Sequence, residues 1–188
     1  LWTDVFAYLR GYRSPSFGGT LLNNQFFVVV HLVGGTAGLL CGPFQFWDRF
    51  REQQPGVHRW MGKVYIIGGL LVGFSALRSS LISKCVPCRV SLFITAALLL
   101  ITLITAWLAI KNKHVKQHRQ FMVRSYVLML AFVLVRIDGI IPMDFLFGRI
   151  EDPTFRRTVN EYFFSFIPLL LTEVLMIWRP YMRILKSR

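Results

Sequence analysis

Apolar residues run along this chain in blocks about 20 long, divided by short stretches that are charged or rich in glycine and proline. A helix rises 1.5 Å per residue, so a block of that length matches the hydrocarbon core of a bilayer. The pattern predicts five spans, over 25–47, 59–81, 90–110, 120–141 and 162–178. Between the first four lie DRFREQQPG (48–56), SKCVPCR (83–89) and KNKHVKQHR (111–119). Pro142 stops the fourth span, and an amphipathic connection over 142–160 leads to the fifth. Residues 1–24 alternate aromatic and polar positions and read as an interfacial segment, broken between Gly11 and Pro15. A spanning segment must satisfy its own backbone hydrogen bonds, so the spans are helices. The expected architecture is an all-α integral membrane protein. Its core is a four-helix transmembrane bundle of two parallel helical hairpins over 25–141, and a fifth C-terminal span with a basic tail follows over 161–188.

Two of the expected spans open alike. HRWMGKVY (58–65) runs into IIGGLLVGFSAL, and HRQFMVRSY (118–126) runs into VLMLAFVLVR. Each copy places His-Arg at the water line, then a cation (Lys63, Arg124), a tyrosine (Tyr65, Tyr126) and an apolar run. Both helices start from the same side, so the repeat is parallel, with a pseudo-two-fold axis along the membrane normal.

Composition agrees with the pattern: 54% of the 188 residues are hydrophobic. A formal net charge of +13 invites a nucleic-acid reading, but the cations sit at the ends of apolar spans, where topology and anionic lipid headgroups put them. Thirteen Lys and Arg fall near the side that holds His58 and His118, against eight on the other side. The excess predicts that the His-Arg side faces the cytoplasm or the mitochondrial matrix, with the N-terminus outside and the C-terminus inside. The membrane is then a mitochondrial inner or bacterial plasma membrane. The first residue is Leu, so the chain is expected to be processed or a part of a longer one, with any targeting segment beyond it.

Candidate chemistry centres on histidine. His58 and His118, at one depth on two helices, form a pair of the kind that holds haem iron or another transition metal. Arg59, Lys63, Arg119 and Arg124 would pair with haem propionates, and the glycines of the first two spans would leave room for a flat macrocycle. The competing reading makes the His-Arg turns interface anchors. His114 lies four residues before His118 and could extend the pair to three, but a solvated basic link explains it better. His31 lies near the opposite end, more than about 20 Å from His58 at 1.5 Å per residue. With Arg136 and Asp138 it would form a polar layer suited to a quinone headgroup, haem propionates or a proton path, or simply a structural network. Cys85 and Cys88 form a lone CxxC on the outer side, read as a local disulfide. Cys41 reads as packing, and Glu173 needs a partner that the sequence does not name. No phosphate-binding glycine loop, HExxH or paired carboxylate occurs, so hydrolysis has no signature and a redox role stays open.

GLLCGPFQF (38–46), HRWMGKVY and HRQFMVRSYVLMLAFVLVRI (118–137) together resemble the predicted membrane proteins grouped as domain of unknown function 2306. His31, Gln45, His58, Arg59, Gly62, Tyr65, His118, Met122, Arg124, Ser125 and Tyr126 match that pattern. Lys63 stands where Arg is usual, and Phe121 where Trp is usual. The resemblance covers about residues 28 to 140 and leaves the fifth span outside. The helical layout is similar to that of four-helix di-haem b-type cytochromes, which is an analogy of fold. Two functions are therefore expected. One is a membrane-embedded b-type haem protein for electron transfer or haem holding. The other is a non-catalytic accessory subunit of a respiratory-type complex, bound to partner subunits and to phospholipid such as cardiolipin.

Overall fold

The computed structural model describes residues 22–83, 85–135 and 144–179. Within these residues the chain is all-helical. Helix α1 spans Leu22–Phe46, α2 Asp48–Gln53, α3 Pro55–Ile82, α4 Val86–Lys111, α5 Val115–Leu134, α6 Asp144–Phe147 and α7 Pro153–Glu173. A π-helical segment, Val174–Trp178, continues α7. Residues 1–21, which hold most of the expected interfacial segment, lie outside the described residues.

Four of these helices are long and apolar enough to cross a membrane: Phe26–Phe46, Pro55–Ile82, Val86–Lys111 and Pro153–Trp178. The expected fourth span is the one missing from this set. Its described part, α5, carries Lys116, Arg119 and Arg124 in its first ten residues, which lowers its mean hydropathy. The expected end of that span, 136–141, lies outside the described residues.

Boundaries shift for local reasons. The basic link narrows to Asn112–His114, because α4 runs through Lys111 and α5 begins at Val115. Lys113 takes a left-handed backbone (φ 61°) to turn the chain, a conformation uncommon outside glycine. Helix α7 starts at Pro153, nine residues ahead of the expected Tyr162. Asp152 caps it, accepting from the backbone N–H of Thr154 at 3.2 Å and of Phe155 at 3.0 Å, and proline sits at the first helical position. The charged link after α1 is itself a helical turn, α2, held by an Asp48–Arg51 pair at 2.9 Å.

Helix α1 packs on α3, α3 on α4, α4 on α5, and α5 returns to touch α1; α7 lies against α4 and α5. The interior is Tyr65, Val72, Leu99, Leu103, Ala106, Leu128 and Met129, all nearly or fully buried. The α1–α3 seam is close because it has glycine on both sides. A Cβ on Gly68 would stand 2.8 Å from the Gly34 carbonyl oxygen, and one on Gly34 would stand 2.7 Å from that of Gly68. Four more glycines of these helices are covered by side chains: Gly38 by Met129, Gly42 by Tyr126, Gly69 by Leu103 and Met129, and Gly73 by Leu100. The expectation that these glycines leave room for a macrocycle is therefore corrected. They are used for helix contact, which is what small residues supply where no hydrophobic force pulls helices together in lipid.

Candidate functional site

All three sequence motifs meet at one end of the molecule. Pro55 starts α3, so His58 lies in its first turn, and Gly62 and Tyr65 follow on the same face. His118, Met122 and Ser125 repeat that spacing on α5. Tyr65 is fully buried, and its Oη lies 2.9 Å from Ser125 Oγ. Ser125 donates its own hydrogen to the Met122 carbonyl at 2.8 Å, so Tyr65 is the donor in the pair. Tyr65 and Ser125 are 60 residues apart, the same offset as His58 and His118. By that offset Tyr65 corresponds to Ser125, one position before the tyrosine that the sequence pairs with it, and the two bond to each other across the core. Tyr126 stands beside Tyr65, ring centroids 6.4 Å apart, and against Phe46 of α1 at 5.5 Å.

Two buried polar atoms at this end have no hydrogen-bond partner among the described residues: Gln45 Nε2 and His58 Nδ1. Gln45 reaches α3 where Gly62 leaves room, its Oε1 lying 3.0 Å from where a Cβ on Gly62 would stand. Gly62 is one turn from His58, so both atoms lie beside the same face of α3. His118 is better held. Its Nδ1 is 2.8 Å from the Ala106 carbonyl oxygen. A carbonyl only accepts, so Nδ1 carries a hydrogen, which in the neutral ring leaves the lone pair on Nε2. His118, Arg51 and Arg59 all lie within electrostatic range of His58. The end therefore offers one imidazole with a fixed tautomer, a second with a buried uncommitted nitrogen, and an amide donor. His114 is exposed at the N-cap of α5, and no group of three His, Cys, Asp or Glu fit for a metal ion occurs among the described residues.

The cations divide. Arg59 and Lys63 are exposed. Arg119 is exposed too, 3.7 Å from Asp48, and a pair so solvated contributes little. Arg124 is committed elsewhere: its Nε and Nη2 both reach the Glu173 carboxylate, the second at 2.9 Å, and its guanidinium lies over the Phe121 ring at 5.1 Å. The partner that Glu173 needs is thus Arg124. A bidentate arginine–carboxylate pair with the Arg124 side chain 12% exposed fastens α7 to α5.

His31 stands apart from this end. Its Nδ1 is 3.1 Å from Ser75 Oγ, and Ser75 donates to the Val72 carbonyl at 2.9 Å. Ser75 is 17 residues past His58 along α3, about 25 Å at the helical rise. His31 borders a cleft of about 50 Å³ between α1 and α5, lined also by Gly35, Leu39, Val72, Met129 and Phe132. Its ring meets Phe132 edge-on at 5.5 Å. Arg136 and Asp138, the other members of the expected polar layer, lie outside the described residues.

Cys85 and Cys88 form a disulfide, with Cα atoms 5.2 Å apart. It sits where α4 begins, its sulfurs 3.9 and 3.8 Å from Thr158 Oγ1 on α7. Cys41 is a half-buried free thiol.

No curated protein matches the chain, and no solved structure matches it. The model of the family described as "Predicted membrane protein (DUF2306)" matches residues 28–177, which extends past the resemblance at 140 and takes in α7. The convergent motifs, the four apolar helices and this match over most of the chain make it an integral membrane protein that belongs to the DUF2306 family.

Proposed function

We propose that the His58–His118 end is a cofactor site and that the cofactor is a b-type haem, held for electron transfer or for haem storage, with the two histidines as axial ligands. The observation that carries this reading is the His118 Nδ1 bond to the Ala106 carbonyl. It leaves Nε2 as the ligating nitrogen, and metal-bound histidines are oriented by such a bond on their other nitrogen. Haem iron accepts two imidazoles, and when bound it supplies one-electron chemistry. The donor set fits that iron. The glycine seams do not supply the macrocycle's space, since each is filled. Arg59 and Lys63 remain for propionates, Arg124 being held by Glu173. In the same reading α1, α3, α4 and α5 are two parallel hairpins, with α7 as a fifth span. The basic end faces the cytoplasm or the matrix, as the cation excess favours.

The filled glycine seams favour a second reading, a non-catalytic accessory subunit of a respiratory-type membrane complex. The apolar windows of the Phe26–Phe46 and Pro153–Trp178 spans are each only 17% buried within the chain, which leaves broad faces for lipid or partner subunits. The basic end would then bind cardiolipin. Oxidised and reduced absorbance spectra of the purified chain separate the two. Sharp reduced α and Soret bands that vanish in both His58→Ala and His118→Ala, and persist in His114→Ala, support haem. A spectrum without them sinks the haem reading and leaves the accessory subunit.

A further inference from the structure

Hydroxyls on these helices have a default. Ser79, Thr102, Thr105, Thr158 and Thr172 each donate to the carbonyl four residues earlier, at 2.7 to 2.8 Å. This back-bonding is how serine and threonine satisfy themselves inside a helix. Ser91 and Thr95 do not follow it. They are 0% and 1% exposed, and Ser91 Oγ and Thr95 Oγ1 have no hydrogen-bond partner among the described residues. They lie one turn apart on one face of α4.

A third such atom lies on α7. Asn160 is 5% exposed, and its Nδ2 donates to the Val135 carbonyl at 2.9 Å. That bond fixes the amide, because a carbonyl can face only the NH2 group. Asn160 Oδ1 therefore points away from Val135, and it has no partner among the described residues.

The register puts these atoms at one level. Cys88, in the first turn of α4, lies beside Thr158 near the start of α7, at 3.8 Å, and α7 ends by reaching Arg124 on α5, level with the middle of α4. The two helices are parallel. Three residues on from each member of the Cys88–Thr158 contact come Ser91 and Glu161, with Asn160 adjacent; Thr95 is level with Ser165. Glu161 and Ser165 are also buried.

The hydrogens decide what fits. Two hydroxyl hydrogens need an acceptor, and one amide oxygen needs a donor. A bare cation satisfies only the oxygen lone pairs and leaves both hydrogens unmet. A molecule with lone pairs and hydrogens of its own meets all three needs, and buried waters bind through about three such bonds. We propose that the α4–α7 seam, one turn below the Cys85–Cys88 disulfide, is a binding site for an ordered water held by Ser91, Thr95 and Asn160. It lies at the depth of the Glu161 carboxylate and gives that buried acid a proton-exchanging neighbour within the bundle.

Radiolytic labelling of the full chain in lipid nanodiscs, in ¹⁸O water, tests this, because X-rays turn a bound water into hydroxyl radical beside residues that bulk radical does not reach. Phe164 shares the buried face of α7 with Glu161 and is 8% exposed, as is Leu100 in the core. Normalised for intrinsic reactivity, Phe164 is expected to take label several-fold above Leu100. A Ser91→Ala/Thr95→Val double variant is expected to lose most of that label and to melt at lower temperature. Label at Phe164 no higher than at Leu100 overturns the proposal without any variant. Label unchanged in the double variant overturns it as well. So does a raised melting temperature, which is what removing hydroxyls from a dry seam would give.

Discussion

Removing the Glu173 carboxylate leaves the Arg124 guanidinium, whose side chain is 12% exposed, without its ion-pair partner. A desolvated charge left in this way costs several kcal/mol, and Glu173 is itself a third exposed, so we expect Glu173→Ala to destabilise by about 3 kcal/mol, at the lower end for buried pairs. Replacing both members, as Arg124→Met with Glu173→Leu, is expected to recover most of the loss, because it removes the uncompensated charge. Unfolding by denaturing detergent measures both, and a double variant as unstable as the single one would refute the account. Tyr65→Phe is a milder change. It removes one buried hydrogen bond while Ser125 keeps its bond to Met122, so the expected cost is about 1 kcal/mol. A loss of that size in the same titration checks it. At this scale the sequence marked His58, His118, Tyr65 and Tyr126 as members of a repeat. It could not mark Arg124 as the partner of Glu173, 49 residues away, because no period links them.

At the scale of elements, the α1–α3 seam depends on two glycine backbones in contact. A Cβ on Gly68 falls 2.8 Å from the Gly34 carbonyl oxygen, and backbone cannot give way as a side chain can. Gly68→Ala is therefore expected to push the helices apart and to cost about 1–3 kcal/mol, as overpacking does. Gly56→Ala meets nothing within 4 Å and serves as the control in the same melts. Helix α7 depends on its start. Asp152→Ala removes an acceptor from two backbone donors, with an expected cost of about 1 kcal/mol. Faster amide exchange at Thr154 and Phe155, with the helix centre unchanged, is the signature to look for. The apolar pattern placed the start of α7 nine residues late. Aspartate as cap and proline in the first turn act through local backbone chemistry, which hydropathy does not register.

Across the whole molecule, two expectations concern sidedness and linkage. The links at 48–53 and 112–114 lie at the basic end, and cysteines introduced there are expected to stay unlabelled by an impermeant reagent applied outside sealed vesicles; free labelling reverses the orientation. Cys85 and Cys88 are expected to resist alkylation until reduced. Their reduction should move the melting temperature little, because a bridge between residues three apart closes a very short loop and removes little chain entropy.

Apolar blocks long enough for a bilayer determined, by themselves, that this chain is helical and embedded in a membrane, because backbone polar groups in lipid have no other way to be satisfied. The repeated His-Arg motif likewise determined that two helices run the same way and place equivalent residues at one depth. Only the tertiary structure decided which faces meet. It put the glycines against neighbouring helices rather than around an open chamber, gave Arg124 to Glu173, and left Gln45, His58, Ser91, Thr95 and Asn160 with buried atoms that no residue of the described chain satisfies. Hydropathy and helical period act along the chain and are written in the order of residues. Pairing across helices depends on register and on side-chain reach between segments tens of residues apart, which packing alone fixes.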